Sequence, residues 1–138
     1  MSTDVGTPEG ANARELVHFV TQQTRFALLT NIVQHPAQLP SMYELEQLNP
    51  SVSEATVYKH VQKLIDAGVV ESVALPEDER RQGNPWKFYR LTDEGRAFLA
   101  EHNLLEAEAT LQRIYETISD KSDKMIRYEN APRPDVDT

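Results

Sequence analysis

Residues 51–96 open with Ser51-Val-Ser-Glu-Ala-Thr-Val-Tyr-Lys-His-Val-Gln-Lys-Leu-Ile-Asp-Ala-Gly-Val-Val-Glu71 and close with Trp86-Lys-Phe-Tyr-Arg-Leu-Thr-Asp-Glu-Gly-Arg96. Ser51 and Ser53 are both candidate N-caps for a helix, and Gly68 stands where a left-handed C-cap would end it. Residues 69–75 and 86–91 have the composition of strands, and a polar loop joins them. The order therefore predicts a helix, a β-hairpin with a long charged tip, and another helix.

The chain before this stretch is also predicted to be helical. Apolar residues recur at spacings of three, four and seven between positions 13 and 35, and the proline that follows ends the pattern. Polar residues 21–24 leave open whether this is one helix or two. Ser41 and Glu44 have the spacing of a capping box, which predicts a short helix over 42–47.

The helix that begins after Ser53 has one apolar side and one exposed side of unusual chemistry. At about 100° per residue, Val57, Val61, Leu64 and Ile65 fall on the side that would pack on the preceding helices. A merely solvated face needs only charges, but this one offers hydroxyls, an aromatic ring, an amide and two cations. Such groups suit base edges and phosphates in a major groove. The predicted DNA contacts on this helix are Ser53, Thr56, Tyr58, Lys59, Gln62 and Lys63.

The hairpin tip is the second predicted contact with DNA. A flexible basic loop beside a recognition helix reaches backbone or minor groove, where arginine is favoured. The predicted contacts in this loop are Arg80, Arg81, Gln82 and Asn84. The acidic run 77–79 precedes the arginines and offers the plainer alternative, ion pairing within a solvated loop.

The segment after the hairpin predicts a dimer. Thr92 caps a helix whose apolar stripe extends over residues 93–118, and so long a stripe exposes much apolar surface on an isolated domain. Packing on the chain's own first helix, or lining a ligand pocket, are the alternatives. The predicted interface of a two-fold homodimer comprises Leu16, Phe19, Val20, Leu104, Leu105, Leu111, Ile114 and Ile118.

The fold class is accordingly mainly α with a small β-hairpin wing: a winged helix-turn-helix plus a long C-terminal dimerisation helix. Residues 1–12 form a flexible arm, 13–92 the winged helix-turn-helix domain, 93–118 the dimerisation helix and 119–138 a charged, frayed tail.

Composition excludes several other classes. The chain has 138 residues, no cysteine and a net charge of −8, so a disulfide framework, a zinc finger and a thiol redox centre are excluded. No apolar run is long enough for a membrane span and no signal peptide is visible, which predicts a cytoplasmic protein. The four histidines lack metal-ligand spacing, and no phosphate loop or catalytic motif occurs. No metal, cofactor or enzymatic activity is therefore expected.

The stretch Ser53-x-x-Thr-Val-Tyr-Lys-His-Val-x-Lys-Leu-x-x-Ala-Gly-Val-Val-Glu71 resembles the recognition helix and first wing strand of the PadR, ArsR and MarR regulators. Phe88-Tyr-Arg-Leu-Thr-Asp-Glu-Gly95 is similar to the second wing strand and following helix start of PadR-like proteins. The resemblance implies a homodimeric transcription factor on a pseudo-palindromic operator in double-stranded DNA. It assigns DNA contacts to Thr56, Tyr58, Lys59 and Lys63, with Arg80 and Arg81 in the wing.

The acidic balance, with few lysines, suggests a salt-adapted, haloarchaeal member of this group, and ordinary acidic composition is the alternative. The chain also resembles haloarchaeal regulators of oxidative stress. The Cys and His sets that bind metal in many ArsR proteins are missing, and a small ligand or ion in the dimer cleft stays an open alternative. The competing class is a winged helix that serves as a protein–protein interaction module in a larger complex.

Overall fold

The computed structural model describes residues 11–104 and 121–135 of the chain. Helices carry most of the described fold, and one antiparallel hairpin accompanies them. In chain order the elements are α1 (Ala11–Val20), α2 (Gln23–Gln34), α3 (Met42–Gln47), α4 (Glu54–Asp66), β1 (Val70–Ala74), a 3₁₀ turn (Glu77–Glu79), β2 (Lys87–Leu91), α5 (Asp93–Glu101) and α6 (Asp123–Asn130).

The polar stretch after α1 separates two helices. Thr21 Oγ1 donates to the carbonyl of Val17 at 2.7 Å, which satisfies an acceptor in the last turn of α1. The side chain of Gln22 then accepts from Arg25 N at 2.9 Å and acts as the N-cap of α2. The sequence left open whether residues 13–35 form one helix or two, and the structure has two.

Side-chain caps fix the helix-turn-helix formed by α3 and α4. The capping box of Ser41 and Glu44 is present, as predicted. Ser53 rather than Ser51 caps α4, because its Oγ accepts from Thr56 N at 3.1 Å. Gly68 has a φ of +79° after the last turn of α4, a conformation that favours glycine. The core beneath α4 is formed by Val57, Val61 and Leu64 with Leu28, Leu29, Ile32, Val33 and Leu45.

The hairpin packs against helices: β1 contacts α4, and β2 contacts α2, α3 and α5. β1 and β2 pair antiparallel from Val70↔Leu91 to Ala74↔Lys87. Phe88 also forms a bridge with Ser41, so the segment before α3 runs along the free edge of β2. Phe88 is fully buried with Leu39 and Leu75 in a second apolar cluster, separate from the core under α4.

The helix predicted over residues 93–118 is shorter than expected. α5 ends at Glu101, and Asn103 adopts a φ of +61°, which asparagine tolerates better than most residues. Leu104 N donates to the carbonyl of Leu99 at 2.7 Å and closes the end of the helix. An apolar stripe predicts helical periodicity but cannot detect this local stop. The predicted interface residues Leu105, Leu111, Ile114 and Ile118 lie outside the described residues.

The tail was predicted to fray, and for residues 121–135 this was wrong. Ser122 caps α6 by accepting from Met125 N at 3.0 Å, and Met125 is buried where α6 packs on α3. Arg133, beyond the helix, donates through Nε to the carbonyl of Leu39 at 3.0 Å. The segment is ordered because it buries an apolar side chain and pairs its charges with groups in the domain.

A buried carboxylate joins α3 to the segment that follows α6. Glu44 is fully buried, and its Oε1 accepts from Ser41 N and from Arg133 Nη2, each at 2.8 Å. Its Oε2 lies 2.8 Å from His35 Nε2. Ala37 N donates to His35 Nδ1 at 3.1 Å, which leaves Nε2 as the donor to Glu44. The carboxylate is thus fully surrounded by donors, as a buried charge requires.

We expect acid to weaken the fold through Glu44. Burial raises the pKa of this carboxyl, but the hydrogen bond from His35, the charge of Arg133 and the Ser41 N–H outweigh it and lower the pKa overall. A lowered folded pKa adds stability above the unfolded pKa of about 4.3, and that stability is lost as the pH falls through the folded value. Urea unfolding at pH 7, 5, 4 and 3 measures it. The non-ionising variant Glu44→Gln should lose less stability over the same interval, and equal losses would contradict the assignment.

Candidate nucleic-acid interface

α4 presents its polar side to solvent, as its sequence predicts. Tyr58 is 54% exposed, an unusual exposure for a large aromatic ring, and Lys59, Gln62 and Lys63 are exposed beside it. Thr56 is half-buried at the start of the helix, where its Oγ1 accepts from Ser53 Oγ at 2.9 Å. The predicted contacts on α4 therefore share one accessible face at the N-terminal and middle turns.

Two residues beside this face escaped the sequence analysis. Arg25, at the start of α2, donates through Nη1 to His60 Nδ1 at 3.1 Å and through Nε to the carbonyl of Phe19 at 2.8 Å. Its guanidinium also stacks over the Phe19 ring at 4.1 Å. Burial lowers the pKa of His60, and the charges of Arg25, Lys63 and Lys59 lower it further. The neutral imidazole accepts from Arg25, so this pair fixes α4 against α2.

The two wing arginines have different surroundings. Arg80 is half-buried, donates through Nε to the carbonyl of Leu75 at 3.0 Å and stacks on Trp86 at 3.9 Å. Trp86 is 42% exposed and forms the platform on which Arg80 stacks. Arg81 is exposed, and its Nη1 lies 3.5 Å from the carbonyl oxygen of Arg80. Arg81 is therefore the wing cation that is accessible to a phosphate.

The rest of the wing tip is polar and turned. Gln82 is exposed, and Asn84 is half-buried with its N–H donated to the carbonyl of Arg81 at 3.0 Å. Gly83 between them has a φ of +87°, so the turn depends on glycine. The acidic residues 77–79 form the 3₁₀ turn on the other side of the arginines and are exposed. The tip thus carries both signs of charge in adjacent turns.

The predicted dimer residues within the described chain differ in accessibility. Val20 is fully buried in the core of its own chain, so its assignment to the interface is wrong. Leu16, Phe19 and Leu104 are half-buried and pack on that core with part of their surface open. Leu16 also lines a groove of about 470 Å³ between α1 and the start of α5. That groove is one apolar surface open to a partner.

The described residues contain neither a metal-binding cluster nor a membrane-spanning helix. Among residues 11–104 and 121–135, no three His, Asp or Glu side chains are grouped closely enough to hold a metal ion. Within the same ranges, no helix combines the length and apolar character that crossing a bilayer demands.

Comparison with known structures identifies the class of the protein. The chain is similar to a protein from Halomicrobium mukohataei described as having a GntR superfamily winged-helix-turn-helix domain. The two share 34% sequence identity and a TM-score of 0.80 over 97% of this chain and 95% of that one. At this identity and coverage, the chain belongs to the same winged helix-turn-helix family as the Halomicrobium protein.

A second comparison concerns the central domain. Residues 39–101 match the transcriptional regulator PadR-like family, which agrees with the PadR-like motifs of the wing. The matched residues include α3, α4, the hairpin and α5. No curated protein matches the chain.

Two more distant solved structures also align with the chain. One is a ZitR mutant from Lactococcus lactis, with 15% identity, a TM-score of 0.43, and coverage of 78% of this chain and 80% of that one. The other is a MarR mutant from E. coli solved with operator DNA, with 20% identity, a TM-score of 0.41, and coverage of 86% and 89%.

Proposed function

We propose that this protein is a sequence-specific DNA-binding regulator of transcription that acts as a homodimer. The α4 helix enters the major groove, one helix per subunit, and the wing contacts flanking backbone or minor groove. The two half-sites of the operator lie about one helical turn apart, roughly 10–10.5 base pairs, as in other two-fold helix-turn-helix dimers.

The observation that carries this proposal is the exposed row on α4. Tyr58, Lys59, Gln62 and Lys63 stand out from a helix whose opposite side is fixed in the core. Lysine supplies charge for phosphate or guanine, glutamine matches the adenine edge, and tyrosine offers apolar contact for thymine methyl groups. Packing α4 on the core does not require an exposed tyrosine beside two lysines and a glutamine.

The proposal extends to dimerisation and salt adaptation. The groove beside Leu16 and the open surface of Phe19 and Leu104 support a two-fold contact through α1 and α5. The net charge of −8 is unfavourable for DNA binding at low salt. In a salty cytoplasm the repulsion is screened, because the Debye length shortens to about 3 Å at 1 M. Cytoplasmic location and a role in stress response are supported by the resemblance to haloarchaeal regulators.

Binding to genomic fragments by mobility shift, from 0.1 M to above 2 M KCl, tests the proposal. Sequence-selective retention at high salt is the expected result and also yields the operator. Selective binding only at low salt would support a DNA-binding regulator and contradict salt adaptation. If no fragment is preferred at any salt, DNA recognition is wrong.

Alanine at Lys59 or at Arg81 is expected to weaken operator binding by about tenfold each, because each change removes a cation placed at the DNA surface. Fluorescence anisotropy with labelled operator measures the loss. The matched control is Arg14→Ala, which removes one exposed cation from α1, outside the helix-turn-helix. Losses as small as those of the control would contradict the assigned interface.

A protein–protein interaction module is the second candidate, and the acidic turn 77–79 beside Arg81 favours it, since exposed carboxylates oppose phosphates. The same two variants separate the candidates. An interaction module would keep its partner after Lys59→Ala, whereas a regulator loses affinity for DNA.

A further inference from the structure

The segment 121–135 holds α6 in one position beside the helix-turn-helix. Arg133 fixes it, because the guanidinium donates to Glu44 at one end and, through Nη1, to the carbonyls of Tyr128 and Ala131 at 2.8 and 2.9 Å. Met125 is buried on the inner side of α6. Because α6 is fixed against α3, its exposed side chains have a defined position relative to the helix-turn-helix.

Two cations of α6 face solvent on its outer side. Lys124 and Arg127 are both exposed, one helical turn apart. The Nζ of Lys124 lies 4.3 Å from the centre of the Tyr43 ring and 5.5 Å from that of Tyr128. These two rings are 4.8 Å apart, so they form a platform that ties Lys124 to α3. The ammonium group is thus positioned by stacking and remains open to a ligand.

The stacking of Lys124 on Tyr43 places its ammonium group beside α3, the first helix of the helix-turn-helix. Burial raises the pKa of Glu46 on α3, the carboxylate of Glu54 raises it further, and Lys124 lowers it. Lys124 thus offsets part of the negative charge on α3. In helix-turn-helix complexes the first helix crosses the DNA backbone while the second enters the groove. A lysine beside α3 is then adjacent to the phosphates that flank the half-site.

We infer that Lys124 and Arg127 form a third DNA contact, on the phosphates flanking each half-site, in addition to α4 and the wing. This inference rests on the proposed function, since it requires the same orientation of α3 and α4 on DNA. The contact is sequence-independent, because a phosphate looks the same in every sequence. It adds cations to an interface whose helix and wing are partly opposed by Glu46, Glu54 and the acidic turn 77–79.

The test is the salt dependence of operator affinity for Lys124→Met, Arg127→Met and the double variant. Methionine keeps an unbranched stem over the tyrosine rings and removes only the charge. Each lost phosphate contact is expected to reduce the slope of log affinity against log salt by about 0.9, or about 1.8 for a dimer. Affinity at low salt should fall about tenfold, with the preference for operator over random DNA unchanged.

The matched control is Lys121→Met, which removes a charge from the same segment at a lysine held by Glu129 at 3.0 Å. Thermal unfolding by circular dichroism confirms that each variant is folded. If Lys124→Met and Arg127→Met give the same slope as the control while Lys59→Ala loses affinity, this inference is overturned and the proposed function stands. If the wild-type protein selects no DNA, both are overturned.

Discussion

Replacing Glu44 with glutamine is expected to lower the free energy of unfolding by about 3 kcal/mol, since removing one partner of a buried ion pair leaves the other charge uncompensated. Glutamine has nearly the same shape, so packing is retained. Its amide is neutral, and one of its two terminal groups is a donor that faces donors from Ser41, His35 and Arg133. The loss therefore comes from charge and hydrogen bonding rather than from a cavity.

Urea unfolding at pH 7 measures this loss, and Glu46→Gln is its matched control. Glu46 lies two residues further along α3 and is only half-buried, so the same chemical change there should cost at most about 0.5 kcal/mol. The double variant Glu44→Gln/Arg133→Met should lose less than the sum of the two single changes, because both remove the same pair. Additive losses would show that the two side chains are not coupled.

The second large effect is expected at Gly95, where alanine should destabilise the protein by about 2 kcal/mol although alanine is the better helix former. A Cβ on Gly95 would lie 2.3 Å from the carbonyl oxygen of Val69 and 3.0 Å from Thr92 Oγ1. The first contact is with backbone, and overpacking of this kind costs about 1–3 kcal/mol. The second disturbs the N-cap of α5, which is worth about 1 kcal/mol. The gain in helix propensity, at most about 1 kcal/mol, is smaller than their sum.

The control for this prediction is the reverse change in the same helix. Ala97 is exposed on α5, so Ala97→Gly should cost about 1 kcal/mol through propensity alone. Thermal unfolding of both variants compares the two effects directly. A Gly95→Ala variant as stable as the wild type would mean that the start of α5 can move away from Val69 without penalty.

Local signals in the sequence were sufficient for much of this fold. Ser41, Ser53, Thr92 and Gly68 mark helix ends through hydrogen bonds or backbone conformation that depend only on near neighbours. The polar side of α4 could be predicted for the same reason, since helical periodicity alone separates Lys59 from Val61. These features need no knowledge of the tertiary structure.

Features that depend on distant partners could not be predicted. The pairing of Glu44 with Arg133 joins residues far apart in the chain, so the sequence showed only a capping glutamate and a charged tail. Likewise, Arg25 and His60 gave no signal, because each is unremarkable within its own helix. The end of α5 at Glu101 depends on a left-handed Asn103, which an apolar periodicity cannot reveal.

The position of Arg133 also sets an order of events during synthesis. When α3 and α4 have been synthesised, Arg133 has not. Glu44 then lacks the guanidinium that neutralises it, and the carbonyl of Leu39 lacks its hydrogen-bond donor. Removing a charge from water without its partner is unfavourable, so we expect the burial of Glu44 to be complete only once Arg133 has been synthesised. Arg133 follows Glu44 by 89 residues, so α4, which ends at Asp66, is synthesised well before the side chain that pairs with the buried carboxylate.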